Sequence, residues 1–225
     1  MAKSISNIII AAHPDDETIF FAGLIQRHRR KPWTVICVTD GNADGQGMIR
    51  LEQFKQACKK LKVDHYERWD FPDIYEKRLN CERLITQLKT LPKAETIYTH
   101  SILGEYGHPH HQDVSYCVHK AFAKNLVMSI AQNVYPELDI RLTKKEYNLK
   151  TKILSDIYAS EFNRFAHLLP ASTDEGFFKL SITEVEAIYR FLTGVAPLEI
   201  SKLQKYKWLK SHIETVFAQK SKRIF

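Results

Sequence analysis

No apolar run in this chain of 225 residues approaches the roughly 18–20 residues that a membrane-spanning helix requires. The opening MAKSISNIII lacks a long apolar stretch leading to a small-residue cleavage site, so it does not read as a secretory leader. Cysteine is scarce and scattered. Cys37, Cys58, Cys81 and Cys117 form no CxxC pair, which argues against both a thiolate zinc knuckle and a disulfide framework and leaves buried thiols. The GxGxxG turn of a dinucleotide site, the GxSxG elbow of a serine hydrolase and the GxxxxGKS/T phosphate loop are all missing. So are internal repeats, low-complexity tracts and Gly/Ser linkers. These absences predict a cytoplasmic globular protein, and 44% apolar with 26% charged residues is ordinary for one.

What is present alternates. SNIIIAA reads as a buried strand, ETIFFAGLIQRHRR as a helix, and WTVICVTDG as a strand ending in an Asp-Gly turn. MIRLEQFKQACKKL, CERLITQLKTL and HQDVSYCVHKAFAKNL read as helices, with VDHYERWDFPD and ETIYTHS as the strands between them. The alternation predicts an α/β fold, a Rossmann-like and mainly parallel sheet flanked by helices, in one domain over residues 1–225. After residue 129 the pattern is less regular. AQNVYPELDIRL holds room for one more strand, and KTKILSDIYASEF reads as a helix. Residues 200–225 read as a basic amphipathic helix: Leu203, Tyr206, Leu209, Ile213, Val216 and Phe217 recur at three- and four-residue spacing among seven basic residues. Packing on its own domain is the expectation for it; a dimer contact or an anionic membrane surface are the sharper alternatives. The net charge is +7, but no nucleic-acid-binding motif accompanies it, so no nucleic-acid partner is expected.

The chemistry gathers where strands end, which is where open α/β sheets bind ligands. Polar clusters follow three strands: His13–Glu17, Asp40–Asp44 and His100–His111. A lone HPDD is more often an N-cap or a turn. A second loop with His108, His110 and His111 changes that balance, because together the two supply the imidazoles and carboxylate of a catalytic metal site. His13 and Asp16, three apart in a turn, can face one ion. Asp15 between them stays free, as a general base beside a metal must.

From about residue 7 to 165 the chain resembles the PIG-L/LmbE superfamily of zinc-dependent N-acetylglucosamine-type deacetylases. AAHPDDETIFFAGLI resembles its first signature and THSILGEYGHPHHQDV its second, in the expected order. VTDG, Arg50, FPD at 71–73 and YASE at 158–161 resemble weaker landmarks. The resemblance implies His13, Asp16 and His111 as ligands of Zn2+, with Fe2+ or cobalt as alternatives. It implies Asp15 as the base, and His108 as the group that stabilises the oxyanion or protonates the leaving amine. Tyr106 would assist the carbonyl oxygen, and Arg50 and Asp73 would contact the sugar. The implied partner is an N-acetylated sugar or its conjugate, and a homo-oligomer is compatible with it. A deacylase for a non-sugar amide, or a non-catalytic binding protein on the same scaffold, are the competing readings.

One departure stands out. Many members carry HPDH where this chain has HPHH, so His110 replaces an aspartate that raises the pKa of the catalytic histidine. Either His110 lowers the pKa of His108, with Asp113 or Glu105 compensating, or it points away. His100 reads as a support of the site or a structural histidine. His65, His119, His167 and His212 read as structural or surface groups, and Trp69 as the best candidate for stacking on a sugar.

Overall fold

A computed structural model describes residues 7–74, 77–131, 133–161 and 173–217. His167, Lys220, Lys222 and Arg223 lie outside the described residues. The strands are β1 (Asn7–Ala11), β2 (Trp33–Thr39), β3 (His65–Phe71), β4 (Ile97–Thr99), β5 (Val127–Ile130), β6 (Leu138–Arg141) and β7 (Asp174–Phe178). They form one sheet in the order β3-β2-β1-β4-β5-β7-β6. The first five are parallel; β7 runs antiparallel to β5 and to β6. This is the expected Rossmann-like arrangement, extended by an antiparallel edge.

The helices are α1 (Asp16–Ile19), α2 (Ala22–Arg27), α3 (Gly47–Leu61), α4 (Cys81–Leu88), α5 (Pro109–Ala121), α6 (Lys144–Asp156) and α7 (Ile182–Leu192). The two faces of the sheet explain the isoleucine run of β1. Ile9 and Ala11 join one core with Phe21, Leu24, Phe54 and Leu154. Ile8 and Ile10 join the other with Leu84, Leu88, Val114 and Val118. A strand covered on both sides has no need of polar alternation. None of the helices among the described residues is long and apolar enough to cross a membrane.

Three details depart from expectation. The helix expected directly after β1 is two helices, because the buried Glu175 carboxylate accepts the Gly23 and Leu24 N–H groups and so starts a fresh one. Lys150 balances that charge at 2.8 Å. Second, β7 and α7 fall where the sequence shows no clean period.

Third, the single amphipathic helix expected over 200–225 is absent from its described part. Ile200–Lys202 and Lys207–Leu209 are 3-10 turns, followed by Lys210–His212 and a π turn at Ile213–Phe217. Leu203, Tyr206 and Leu209 are spaced by three, the period of a 3-10 turn, and are buried with Ile213 and Phe217 against α7. The carboxylate of Glu184 on α7 accepts the N–H groups of Gln204, Lys205 and Tyr206, which replaces the helical bonds that segment lacks.

His119, read as structural, is a buried neutral imidazole. Its Nδ1 lies 2.7 Å from the Ser115 carbonyl, and burial pulls its pKa from 6.5 to about 4. The unfolded chain therefore takes up a proton before the native one does, so stability should fall as pH drops through that window. The drop amounts to about 3 kcal/mol for this group. Urea melts from pH 7 to pH 4 check it: His119→Asn should remove the corresponding part of the slope, and an unchanged slope would assign it elsewhere.

Candidate active site

The strand order reverses between β1 and β4. The chain goes from β1 to β2 and β3 on one side, then returns through α4 to β4 on the other. Loops leave the carboxyl ends of β1 and β4 on opposite sides there, the place where open α/β sheets form their ligand crevice. The β1 loop delivers His13, Asp15 and Asp16; the β4 loop and the start of α5 deliver Glu105, Tyr106, His108, His110 and His111. Asp73 arrives from the loop after β3 and Arg50 from the first turns of α3. All but Tyr106, which is half-buried, are buried.

His13, Asp16 and His111 converge. His13 Nδ1 stands 3.1 Å from His111 Nε2, and Asp16 Oδ2 stands 3.6 Å from each of those nitrogens. Four ligands arranged tetrahedrally at about 2.0–2.1 Å from an ion stand about 3.3–3.4 Å apart. The donor set thus has the size and chemistry of three positions of a zinc-type site. The surroundings favour positive charge there. Burial by itself would lower the pKa of His13, yet Asp73 and Asp16 outweigh it and raise it to about 10. A group in that place is held as a cation unless an ion supplies the charge.

Behind the triad stands a support. Glu105 Oε2 lies 2.5 Å from His111 Nδ1 and 3.1 Å from His100 Nδ1, while its Oε1 accepts the Ser101 N–H at 2.7 Å. Burial would raise the Glu105 carboxyl, but His100 and His111 bring it down to about 2, so it is a carboxylate. A carboxylate on the outer nitrogen fixes the His111 tautomer and leaves Nε2 free to ligate. His100 also accepts the Ala12 N–H, tying the β4 loop to the end of β1. The sequence offers Glu105 as a compensator for His108; in the structure it is the partner of His111.

Asp15 sits in a backbone conformation that side chains rarely adopt, with φ of 109°. Two groups hold it. Its N–H donates to Glu17 Oε2 at 3.0 Å, and Glu17 Oε1 in turn accepts the hydroxyls of Thr18 at 2.5 Å and Tyr158 at 2.9 Å. The Arg50 guanidinium donates to the Pro14 carbonyl at 2.8 Å and to Asp15 Oδ2 at 3.2 Å. Arg50 also lies 3.6 Å from Asp73 and 3.8 Å from Glu161. Burial pushes the Asp15 carboxyl well above its usual range even though Arg50 pulls the other way. Neither Glu17 nor Glu161 was assigned a role from sequence; the acids of HPDDE and YASE were the only sign of them.

His108 is the N-cap of α5, its Nδ1 accepting the His110 N–H at 3.2 Å. Burial, followed by His13, His111 and His110, drives its pKa well below the ordinary value, so it is neutral and its remaining nitrogen, Nε2, carries the hydrogen. Tyr106 packs its ring 5.7 Å from that of His108. His110 does not point away: its Nδ1 is 3.1 Å from His13 Nε2 and 3.4 Å from Asp73 Oδ1. Nor does Asp113 compensate, since it is engaged by Arg78, the Leu79 N–H and Tyr189. Trp69 packs in the core beside Phe71 rather than lining the crevice.

A Rossmann-like sheet with a buried histidine–carboxylate centre at its switch point defines the class. Within that class the chain belongs to the PIG-L family, whose model, described as GlcNAc-PI de-N-acetylase, matches residues 8–122. That span contains every candidate residue named from sequence. Uncharacterized protein L374 of Acanthamoeba polyphaga mimivirus is 31% identical over 170 residues, covering 68% of this chain and 71% of that one. The N-acetylglucosaminyl-phosphatidylinositol de-N-acetylase of Saccharomyces cerevisiae is 27% identical over 210 residues, covering 80% of this chain and 68% of that one. Among solved structures, the N,N'-diacetylchitobiose deacetylase of Pyrococcus horikoshii superposes with a TM-score of 0.63 at 16% identity, over 78% of this chain and 84% of that one.

Proposed function

We propose that this chain is a metal-dependent N-deacetylase acting on an N-acetylated amino sugar of the GlcNAc type or its conjugate. The observation that carries the reading is the converging triad of His13, Asp16 and His111 with an unligated carboxylate, Asp15, between two of its members. The related enzymes support the substrate class, since each is named for removing acetyl from such a sugar.

His13 Nδ1, Asp16 Oδ2 and His111 Nε2 would hold the ion, and their imidazole and carboxylate chemistry fits Zn2+ best. A bound ion of this kind supplies Lewis acidity toward a water and toward the acetamide carbonyl. The chain supplies the rest. Asp15 takes a proton from the attacking water and later gives it up. His108 is neutral and donates Nε2–H to the developing oxyanion, with Tyr106 beside it, so the oxyanion role is favoured over that of an imidazolium acid. The C–N bond breaks, the proton held by Asp15 passes to the leaving nitrogen, and acetate and the free amine depart. Arg50 and Asp73 act here as positioning residues, Arg50 on Asp15 and Asp73 on His13, in place of the sugar contacts implied by the resemblance.

A lipid-linked sugar is the second reading. Met48 and Ile49, directly before Arg50, are 75% and 56% exposed, and Ile74 after Asp73 is 37% exposed, so exposed apolar side chains neighbour two of the site residues along the chain. The test is metal analysis of the purified protein together with acetate release from N-acetylglucosamine, N,N'-diacetylchitobiose and a lipid-linked N-acetylglucosaminide. Chelator-sensitive release from at least one is expected. A protein that binds no metal and frees no acetate from any of them overturns the proposal.

The support of His111 yields a further expectation. Glu105→Gln should weaken binding of the ion by about 10- to 100-fold, because the amide no longer stabilises the His111 tautomer. Competition with a fluorescent zinc chelator measures this; unchanged affinity would mean that His111 is not a ligand.

A further inference from the structure

The outer side of His13 repeats the geometry of its inner side. His13 Nε2, His110 Nδ1 and Asp73 Oδ1 stand 3.1, 3.5 and 3.4 Å apart. The proposed first triad measures 3.1, 3.6 and 3.6 Å. We propose that this chain holds a second divalent cation at His13 Nε2, His110 Nδ1 and Asp73 Oδ1, joined to the first ion through the ring of His13.

Each donor is anchored from behind. His110 Nε2 lies 2.8 Å from the Lys77 carbonyl and donates its hydrogen there, so the Nδ1 lone pair faces inward. Asp73 Oδ2 faces Arg50 Nη1 at 3.6 Å, and the Asp73 N–H donates to Asp40 Oδ1 at 3.0 Å, which fixes the residue with Oδ1 toward the histidines. His13 follows the buried end of β1, and a nitrogen of His108 lies within 4.8 Å of ligand nitrogens of His13 and His110. All four side chains are buried. The site exists because residue 110 is a histidine, at the place where the chain departs from HPDH. The inference builds on the first ion of the proposed function and adds to it.

The proton balance is explicit. With one ion on Nδ1, the His13 ring carries its hydrogen on Nε2, pointing at His110 Nδ1. Binding the second ion breaks that N–H bond, forms a metal bond with the freed electron pair and releases the proton to buffer, leaving His13 as a bridging imidazolate. Two imidazole donors and one carboxylate favour Zn2+ or Cu2+ over Mg2+ or Ca2+.

The experiment loads the full chain with excess Zn2+, removes loose ion by gel filtration and counts metal by mass spectrometry. Two ions per chain are expected, falling to one in His110→Gln. One ion in the unaltered chain overturns the second site and leaves the first intact; none overturns both; two in both proteins overturns the assignment to His110. A second readout needs no variant. In the chain loaded with two Cu2+ ions, a shared imidazolate couples the spins, so the paramagnetic resonance signal should fall well below that of the same amount of uncoupled copper. A full-intensity signal from two bound coppers overturns the shared ring.

Discussion

Asp15→Asn is expected to leave a folded protein that keeps its ion and turns over about 10^2- to 10^4-fold more slowly, the range that a positioned general base contributes. Asp15 is outside the proposed ligand triad, so the ion has no reason to leave. Asparagine is also among the few side chains that tolerate a positive φ, here 109°. Metal content and kcat of the variant decide. Full turnover would remove Asp15 from the mechanism, and loss of the ion would place it among the ligands.

Arg50→Met is expected to destabilise the protein by about 3–5 kcal/mol, the range found when one partner of a buried ion cluster is removed. The guanidinium is buried and faces Asp15, Asp73 and Glu161, besides the Pro14 carbonyl. Methionine keeps much of the packing and none of the charge, so three acids would be left facing one another. Arg50→Lys should recover only part of the loss, because a single ammonium cannot span partners on several sides as the planar fork does. Denaturant melts measure both variants. A loss below about 1 kcal/mol, the scale of an exposed pair, would show that Arg50 is not what keeps these acids together.

Much of the site was legible because its parts are local. An apolar run closed by HPDDE announces a parallel strand and a loaded loop, and a second histidine-rich loop supplies a further candidate ligand. The structure brings donor atoms of His13, Asp16 and His111 within 3.1–3.6 Å of one another. The supports were not legible for a physical reason. Glu105 to His111 spans six residues with a sharp turn between, Glu17 to Tyr158 spans 141, and Arg50 to Glu161 joins two separate elements. Neither spacing nor periodicity encodes such contacts.

The same limit applies to the fold. Alternating strands and helices gave away the parallel sheet. The antiparallel edge was hidden because β7, DEGFF, is short and opens on two acids, one of which, Glu175, is buried as the cap of α2. The C-terminal segment departs from the expected helix for a different reason. Apolar residues three apart serve a 3-10 turn as well as an α-helix, and the Glu184 carboxylate, some twenty residues away, is what permits the looser form.

The positive φ of Asp15 has a use beyond this molecule. An aspartate in that conformation, two residues after a histidine at the end of a parallel strand and steadied by a glutamate two residues later, is a shape rather than a word. The Pyrococcus horikoshii enzyme shares the fold at 16% identity, where backbone shape outlasts the letters. A backbone-torsion fingerprint centred on that residue turns the loop into a search query that needs no aligned letters, and its hits among sheets of this topology would show how far the shape extends.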